Sequence, residues 1–320
     1  MSSSRTEKIK CCSHLKATHP HTQDMYAILV GINYTKHSQY QLGGCINDVL
    51  NWRRVLTERF GYRLEDIVLL SDDPNQDSDH QPTRRNIFAA IDRMTQHMME
   101  AKKTLVSQQK SKPFVFVFSS HGGQIPAQDD STEADGLDEC LFDCDMQVIR
   151  DNELRTSLVE RVPSGIRLFC AIDACNSATA LDLPFLVDRQ SNSQPTGKQA
   201  TNEASIICIS GCRDTETSAV KWIDNKEQSV LSALLVALLE GKAKHKWLRY
   251  FNWRQFHTVL DMEVIQQGYG PAENRPGEGQ LPILTHNRLM DLEDLVDNWF
   301  PVKETVVQGT ATSNHYRTRL

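Results

Sequence analysis

Alternating apolar strands and amphipathic helices constrain the fold of this chain more than any other feature of its sequence. Residues 26–32 form a continuous apolar run, as expected of a strand buried on both faces. Residues 46–60 then place apolar side chains at three- and four-residue steps, which predicts a helix. The alternation predicts further strands at 67–70, 114–118, 166–172, 205–209 and 281–284, and helices at 82–102, 151–159, 229–240 and 253–267.

These elements predict an α/β fold in which one sheet lies between two layers of helices. Strand–helix–strand units cross over in one hand, so the sheet is expected to be mostly parallel, with about six strands and helices on both faces. Pro282 lacks the backbone N–H that an inner strand needs, which predicts that the last strand lies at a sheet edge.

Polar segments predict the boundaries of one domain. Residues 1–24 and 303–320 are expected to be flexible tails, and the Ser-, Gln- and Asn-rich residues 184–204 a linker. The linker would join a large region, 25–183, to a small region, 205–302, of the same domain. The first tail contains Cys11-Cys12 and three histidines, but no second cysteine pair follows at zinc-finger spacing, which favours a tail over a metal tract.

Composition excludes several function classes. A net charge of −6 and a pI near 6.0 argue against binding nucleic acid through bulk charge. The longest apolar stretch, 230–239, is shorter than the ~20 residues of a membrane span, and the N-terminus has no apolar signal region. Nine cysteines without such a signal fit free thiols in a reducing compartment. We expect a cytoplasmic monomer without nucleic-acid or membrane partners.

A histidine and a cysteine follow two consecutive predicted strands. His121 comes after the third strand and Cys175 after the fourth, and the carboxyl ends of parallel strands are where such sheets place their sites. A thiol needs a base to become a thiolate, and Gly122-Gly123 would let backbone N–H groups approach a reacting carbonyl. Either residue alone is more often structural, but together they favour Cys–His catalysis.

Several separate motifs resemble the metacaspases, a family of caspase-like cysteine peptidases. The resemblance runs from about residue 26 to 292. Its motifs are Val30-Gly31-Ile32-Asn33-Tyr34, Leu42-Gly43-Gly44-Cys45-Ile46-Asn47-Asp48, Ser120-His121-Gly122-Gly123-Gln124, Asp135-Gly136-Leu137-Asp138-Glu139, Asp173-Ala174-Cys175-Asn176-Ser177 and Ile209-Ser210-Gly211-Cys212-Arg213-Asp214. The linker resembles the type I arrangement without a long Pro-rich prodomain. The implied fold is the caspase-like three-layer sandwich.

The resemblance implies hydrolysis of proteins or peptides after Arg or Lys. His121 would be the general base and acid, Cys175 the nucleophile, and the N–H groups of Gly122 and Cys175 the oxyanion donors. Two carboxylates near the nucleophile, Asp48 and Asp173, would favour a cationic side chain. The alternative is that Asp48 caps a helix and Asp173 a strand end. By resemblance, Ser119 and the segment 212–214, with Asp214, would also line the pocket.

The segment 129–145 is rich in acidic residues and contains no basic one. A solvated loop is the simplest explanation, and the EF-hand pattern is absent. The resemblance implies instead an activating Ca²⁺ ion held by Asp135, Asp151, Asn152 and Asp182. Asn152 stands where the family usually has Asp, so one negative charge is lost and weaker binding is expected.

Departures from the family pattern leave the predicted catalytic groups in place. Ser120 and Ala178 stand where Gly is common, and Asn176 where His often follows the nucleophile. Two rival functions fit the sequence less well. A non-proteolytic caspase-like scaffold is disfavoured because His121 and Cys175 are both present, and nucleotide binding because neither phosphate-binding glycine motif occurs.

An enzyme that prefers basic residues would also find them in itself. The linker carries Arg189 and Lys198, and the first tail carries Lys8, Lys10 and Lys16. Exposed flexible segments are where proteolysis concentrates. We therefore expect self-processing at these positions, accompanying activity rather than required for it.

Overall fold

A computed structural model shows an α/β domain built around one large sheet. Thirteen strands are present among the described residues: β1 Ala27–Gly31, β2 Ile67–Ser71, β3 Phe114–Ser119, β4 Gly122–Pro126, β5 Leu137–Phe142, β6 Val148–Arg150, β7 Arg167–Asp173, β8 Phe185–Val187, β9 Ser193–Pro195, β10 Ser205–Ser210, β11 Val220–Ile223, β12 Lys226–Ser229 and β13 Ile283–His286. The structure describes residues 25–105, 112–127, 136–175, 177, 179–188, 190–211, 220–223, 226–241, 250–270 and 280–302.

Six α-helices lie among these strands, and each predicted helix is present with small shifts in its bounds. They are α1 Cys45–Glu58, α2 Arg84–Thr104, α3 Asp151–Ser157, α4 Val230–Glu240, α5 Trp253–Gln266 and α6 Val296–Trp299. The predicted tails at 1–24 and 303–320 lie outside the described residues.

The central sheet has eight strands in the order β2-β1-β3-β7-β10-β13-β8-β9. The first five are parallel, and β13, β8 and β9 continue the sheet in antiparallel pairs. Because β3 and β7 pair in parallel register, Ser119 lies opposite Asp173 and the two strands end together. The residues that follow these strands, His121 and Cys175, are thereby brought to one edge of the sheet.

Helices cover both faces of the sheet, as predicted. Successive residues of β1 point to opposite faces: Ile28 and Val30 pack into one buried core with α2, whereas Ala27 and Leu29 pack into another with α1, α4 and α5. Strands buried on both faces are apolar throughout, which is why the runs were visible in the sequence. The fold is therefore a three-layer α/β sandwich.

The sheet is larger than the six strands expected because the polar segment 184–204 contributes β8 and β9. The expectation that the strand near Pro282 lies at an edge is wrong, since β13 pairs with β10 on one side and β8 on the other. The physical reason is that β13 begins at Ile283, one residue after the proline, so no ladder donor is lost.

A second, three-stranded antiparallel sheet, β4-β5-β6, lies between β3 and α3 in the chain and starts at the edge where β3 ends. It contains part of the acidic segment, since β5 spans Leu137–Phe142 and pairs with β4 on one side and β6 on the other. A two-stranded hairpin, β11-β12, precedes α4. Both small sheets border the ends of β3 and β7, where the site residues lie.

Candidate active site

His121 is held by the chain that follows β1. Its Nε2 lies 2.8 Å from the backbone carbonyl oxygen of Tyr40, and its ring packs on Tyr34 with centroids 4.7 Å apart. A carbonyl oxygen can only accept, so Nε2 must carry the proton in this contact. In the neutral ring the lone pair then resides on Nδ1, the atom available to act as a base.

Tyr34 anchors the backbone around His121. The backbone N–H of His121 donates to the Tyr34 hydroxyl at 3.1 Å, and that hydroxyl donates to the carbonyl of Phe142 at 2.9 Å. Burial raises the pKa of Tyr34 well above its ordinary value, so the hydroxyl keeps its proton and serves as donor and acceptor at once. Tyr34 therefore ties the turn after β3 to the end of β5.

Gly122 meets the backbone of Cys175 at a distance that only glycine allows. A Cβ at position 122 would lie 2.1 Å from the carbonyl oxygen of Cys175 and 3.1 Å from the side chain of Ala174. The backbone N–H of Ser120 donates to the carbonyl of Asp173 at 3.2 Å, which extends the pairing of β3 and β7 beyond their ends. The segments that carry His121 and Cys175 are thus packed directly against each other.

Asp48 is buried beneath this edge and does not cap its own helix. Its Oδ2 accepts from the Ser119 hydroxyl at 2.9 Å and also from the Ser229 hydroxyl, and its Oδ1 accepts from the Ser229 backbone N–H at 3.0 Å. Burial, followed by the neighbouring Asp173, raises the pKa of Asp48 well above its ordinary value. The two carboxylates therefore lie near enough to repel each other.

Asp173, the last residue of β7, also contacts the start of α4. Its Oδ2 accepts from the backbone N–H of Ser232, in the first turn of α4, at 2.9 Å. Ser229 is the N-cap of α4, yet its hydroxyl donates to Asp48 and makes no cap hydrogen bond. Asp48 and Asp173, named the α4 pair, thus converge on the positive end of a helix dipole.

A second group of buried carboxylates surrounds β5. Asp138 and Glu139 lie on β5, Asp151 begins α3, and Asp182 precedes β8; all four are buried and are named the hairpin cluster. Burial, with Asp182 the largest neighbouring charge, raises the pKa of Asp151 to about 8. The structure therefore brings together two of the residues predicted to bind calcium, Asp151 and Asp182.

Internal cations already accompany the hairpin cluster. The Lys198 ammonium lies 3.1 Å from Oδ1 of Asp182, and the side chain of Lys198 is only 10% exposed. Arg150 donates to Oδ2 of Asp138. The expectation that Lys198 is exposed in a linker is therefore wrong, because the segment around it is fastened to α3 through Arg155, which donates to the carbonyls of Asp182 and Gln199.

Asn152 contacts the cluster through its backbone N–H, which donates to Oδ1 of Asp151 at 2.7 Å. Two predicted site residues, Asp135 and Asp214, lie outside the described residues, as do Asn176, Ala178 and Arg189. Within the described ranges, no three His, Cys, Asp or Glu side chains are grouped so as to hold a metal ion. Hard oxygen donors are nonetheless the chemistry that Ca²⁺ requires.

Three residues that contact the predicted site residues were not predicted from the sequence to do so. Tyr40 acts through a backbone carbonyl, which no residue type signals. Ser229 binds Asp48 across 181 positions of sequence, a contact that no local pattern reports. The only sequence signal for the contact of Lys198 with Asp182 is that Lys198 is an isolated basic residue in a polar segment.

The sequence matches the family described as "Metacaspase, peptidase C14 domain" over residues 26–184. Metacaspase-1B of Aspergillus terreus is 30% identical to this chain, and the alignment covers 71% of this chain and 69% of the relative. The chain belongs to the metacaspase family. The resemblance inferred from its motifs is thereby confirmed.

Other relatives extend the comparison. Metacaspase-1B of Aspergillus oryzae is 29% identical over 71% of this chain, and the alignment spans 62% of the relative's own length. A structural-genomics crystal structure from Geobacter sulfurreducens shares the fold, with a TM-score of 0.54 and 21% identity over 85% of this chain and 97% of that one. Among the helices that the structure describes, none combines the length and apolar character that a membrane span requires.

Proposed function

We propose that this metacaspase is a cysteine endopeptidase in which His121 activates Cys175. The observation that carries the proposal is the geometry of the catalytic edge: β3 and β7 end together, His121 donates from Nε2 to Tyr40, and Gly122 packs on Cys175. A histidine held in this tautomer presents Nδ1 as the base that a thiol requires.

The proposed reaction proceeds through an acyl-enzyme. His121 accepts the Cys175 proton, and the thiolate attacks the substrate carbonyl carbon while the N–H groups of Gly122 and Cys175 stabilise the oxyanion. The imidazolium then gives its proton to the departing amine. Water, deprotonated by His121, hydrolyses the thioester and restores the free thiol.

Selection of Arg or Lys before the scissile bond follows from the α4 pair. Asp48 accepts only from serine hydroxyls and a backbone N–H, and it forms no ion pair with a Lys or Arg of the described residues. A buried carboxylate near a second one is stabilised by an arriving cation, which favours guanidinium or ammonium groups. Ser119 would support this pocket by holding Asp48 in place, and Asp214 is assigned to it by family resemblance alone.

Activation by Ca²⁺ is proposed at the hairpin cluster. Asp151 and Asp182, with Asn152 and Asp135, would hold the ion; when bound, it would supply positive charge to a cluster of buried carboxylates. Because Lys198 already contacts Asp182, the ion would have to compete with an internal ammonium. We expect a response in the high micromolar to millimolar range, a rough figure for sites with few carboxylates.

We also propose that the enzyme cleaves itself, but the contact of Lys198 with Asp182 restricts when it can do so. A cut after Lys198 requires its side chain to leave Asp182 and enter the catalytic site, which the ion pair opposes. We therefore expect any cut at Lys198 to follow calcium addition. Mass spectrometry of new N-termini in wild type and Cys175→Ala, with and without calcium, would show whether the two events are linked.

The test of the proposed function is a panel of fluorogenic peptides with Arg, Lys or Asp before the scissile bond. Purified protein should cleave the Arg and Lys peptides with calcium and leave the Asp peptide intact. Cys175→Ala should be inactive on all of them. Equal turnover of Asp and Arg peptides would overturn the specificity, and full activity in excess EGTA would overturn only the calcium dependence.

A further inference from the structure

An open groove of about 740 Å³ lies beside the catalytic edge, and neither the proposed dyad nor the α4 pair accounts for it. One wall is the turn 41–44 that follows Tyr40, and the other is β12, with Lys226 and Glu227. Its volume falls in the range of ligand-binding sites. Gln41, which lines the groove, directly follows Tyr40, whose carbonyl accepts from His121, so the groove lies one residue along the chain from that contact.

The Glu227 carboxylate lies directly over Gly43. A Cβ at position 43 would be 1.4 Å from Oε2 of Glu227. Gly43 is absent from the positions with positive φ, so its backbone alone does not require glycine. Glycine is needed at position 43 because the Glu227 carboxylate occupies the space that a side chain would fill.

β12 is held firmly in this place. The Asn47 side-chain amide donates to the carbonyl of Glu227 at 2.9 Å, and that of Asn51 donates to the side chain of Gln228 at 2.7 Å. Two residues beyond Glu227, Ser229 binds Asp48. The strand that carries Glu227 therefore also supports the α4 pair.

Among the side chains that the structure describes, none of opposite charge pairs with Glu227. No Lys, Arg or His in the described part of the chain forms an ion pair with its carboxylate. Lys226 borders the groove, but neighbouring residues of a strand direct their side chains to opposite faces. Within the described residues, the groove thus offers a carboxylate that forms no ion pair.

We propose that Glu227 is a specificity-determining residue that binds a second basic side chain of the substrate. The inference rests on the proposed peptidase function and deepens it. One basic side chain would enter the pocket of Asp48 and Asp173, and another would meet Glu227 across the open groove. Preferred substrates are then segments with two basic residues near the scissile bond.

Paired fluorogenic peptides test the proposal. All carry Arg before the scissile bond, and each pair differs at one other position in having Arg or its neutral isostere citrulline. Wild type should prefer Arg over citrulline by about tenfold in kcat/KM at one position, as expected of a partly exposed charge-assisted contact. Glu227→Gln should bring that ratio near one, and Gly43→Ala, which displaces the carboxylate, should lower it.

The control is Glu65→Gln, the same substitution at an exposed position just before β2, at the opposite end of the parallel strands; it should keep the wild-type ratio. A wild type that cleaves after Arg but shows no preference at any second position would overturn the inference and leave the proposed function standing. An unchanged ratio in Glu227→Gln would overturn it as well. A wild type that cleaves no Arg or Lys peptide would instead overturn the peptidase proposal, and this inference with it.

Discussion

The two buried groups of carboxylates differ in what stabilises them. In the α4 pair, Asp48 and Asp173 accept from serine hydroxyls and from backbone N–H groups at the start of a helix. In the hairpin cluster, Asp138 and Asp182 contact the internal cations Arg150 and Lys198. Neutral donors hold a carboxylate in place without cancelling its charge, whereas an internal cation cancels it. The proposed roles follow from this difference: Asp48 would be available to a substrate cation, whereas a cation entering beside Asp182 would have to displace Lys198.

The largest expected difference is between replacing Cys175 and replacing Cys140, measured as peptidase activity. Cys175→Ala should lower peptidase activity by several orders of magnitude, because the covalent route is lost. Cys140, buried on β5, has its pKa raised to about 11 by burial and the nearby Asp151, so it stays a thiol. Cys140→Ala should keep activity at any temperature where it remains folded. Peptide turnover and a melting curve are measured for each variant. Substantial residual turnover in Cys175→Ala would refute the assignment of Cys175 as the nucleophile.

Removing the internal cation should strengthen calcium binding. Lys198→Met keeps the aliphatic part of the side chain but deletes the ammonium beside Asp182, and about tenfold tighter binding is expected from the loss of that competitor. Calorimetric titration of calcium, in a Cys175→Ala background to prevent self-cleavage, measures it. Lys103→Met removes an exposed ion pair with Glu100 and serves as the control. Equal affinities in all three proteins would show that Lys198 does not compete.

The raised pKa of Asp151 predicts how stability changes with pH in the calcium-free protein. Its pKa is about 8 in the folded state, against an ordinary value of 3.8. Between these values the folded state keeps a proton that the unfolded state has released, so this group makes stability fall as pH rises. Asp151→Asn removes the effect and should gain a few degrees in melting temperature over wild type at pH 8, but not at pH 4.

A parallel decline of both proteins between those pH values would contradict the pKa assignment. Calcium should also raise the melting temperature of wild type at pH 8 and have little effect on Asp151→Asn. That readout is independent of peptidase activity.

Asn152→Asp should have the smallest effect. The added carboxylate attracts a divalent cation, but repulsion from Asp151 in the calcium-free protein offsets part of the gain. We expect the calcium midpoint of activation to fall by a small factor, about two to five, an order-of-magnitude range for one half-buried charge. A midpoint that stays fixed or rises would place Asn152 outside the cation site.

The sequence predicted the elements with strong local patterns. Strands such as β3 and β7 are buried on both faces and read as unbroken apolar runs, which also located His121 and Cys175 at their ends. Two short strands were missed for different reasons: β9 is polar and lies at the sheet edge, whereas β8 is apolar but only three residues long, too short to show a periodic pattern. Apolar periodicity detects a strand only when several of its residues are apolar and buried, which neither β8 nor β9 offers.

The candidate site could also be predicted only in part from the sequence. Asp48 and Asp173 could be paired from their positions relative to the strands and the family motifs, and the structure brings them together. Their partners Ser229 and Ser232, the Tyr40 carbonyl at His121 and the Lys198 ammonium at Asp182 arise from contacts between distant segments. Such contacts follow from packing in three dimensions, which the spacing of residue types does not encode.

The most direct test of the account compares Arg with citrulline before the scissile bond. The two side chains have nearly the same shape, so the ratio of their kcat/KM values reports charge recognition alone. Wild type should favour Arg by about 100-fold or more, since a buried carboxylate discriminates strongly against a neutral partner. Asp48→Asn and Asp173→Asn should lose most of this preference, while Asp138→Asn, in the hairpin cluster, should retain it. Equal turnover of the two peptides by wild type, or a full preference in Asp48→Asn, would contradict the account.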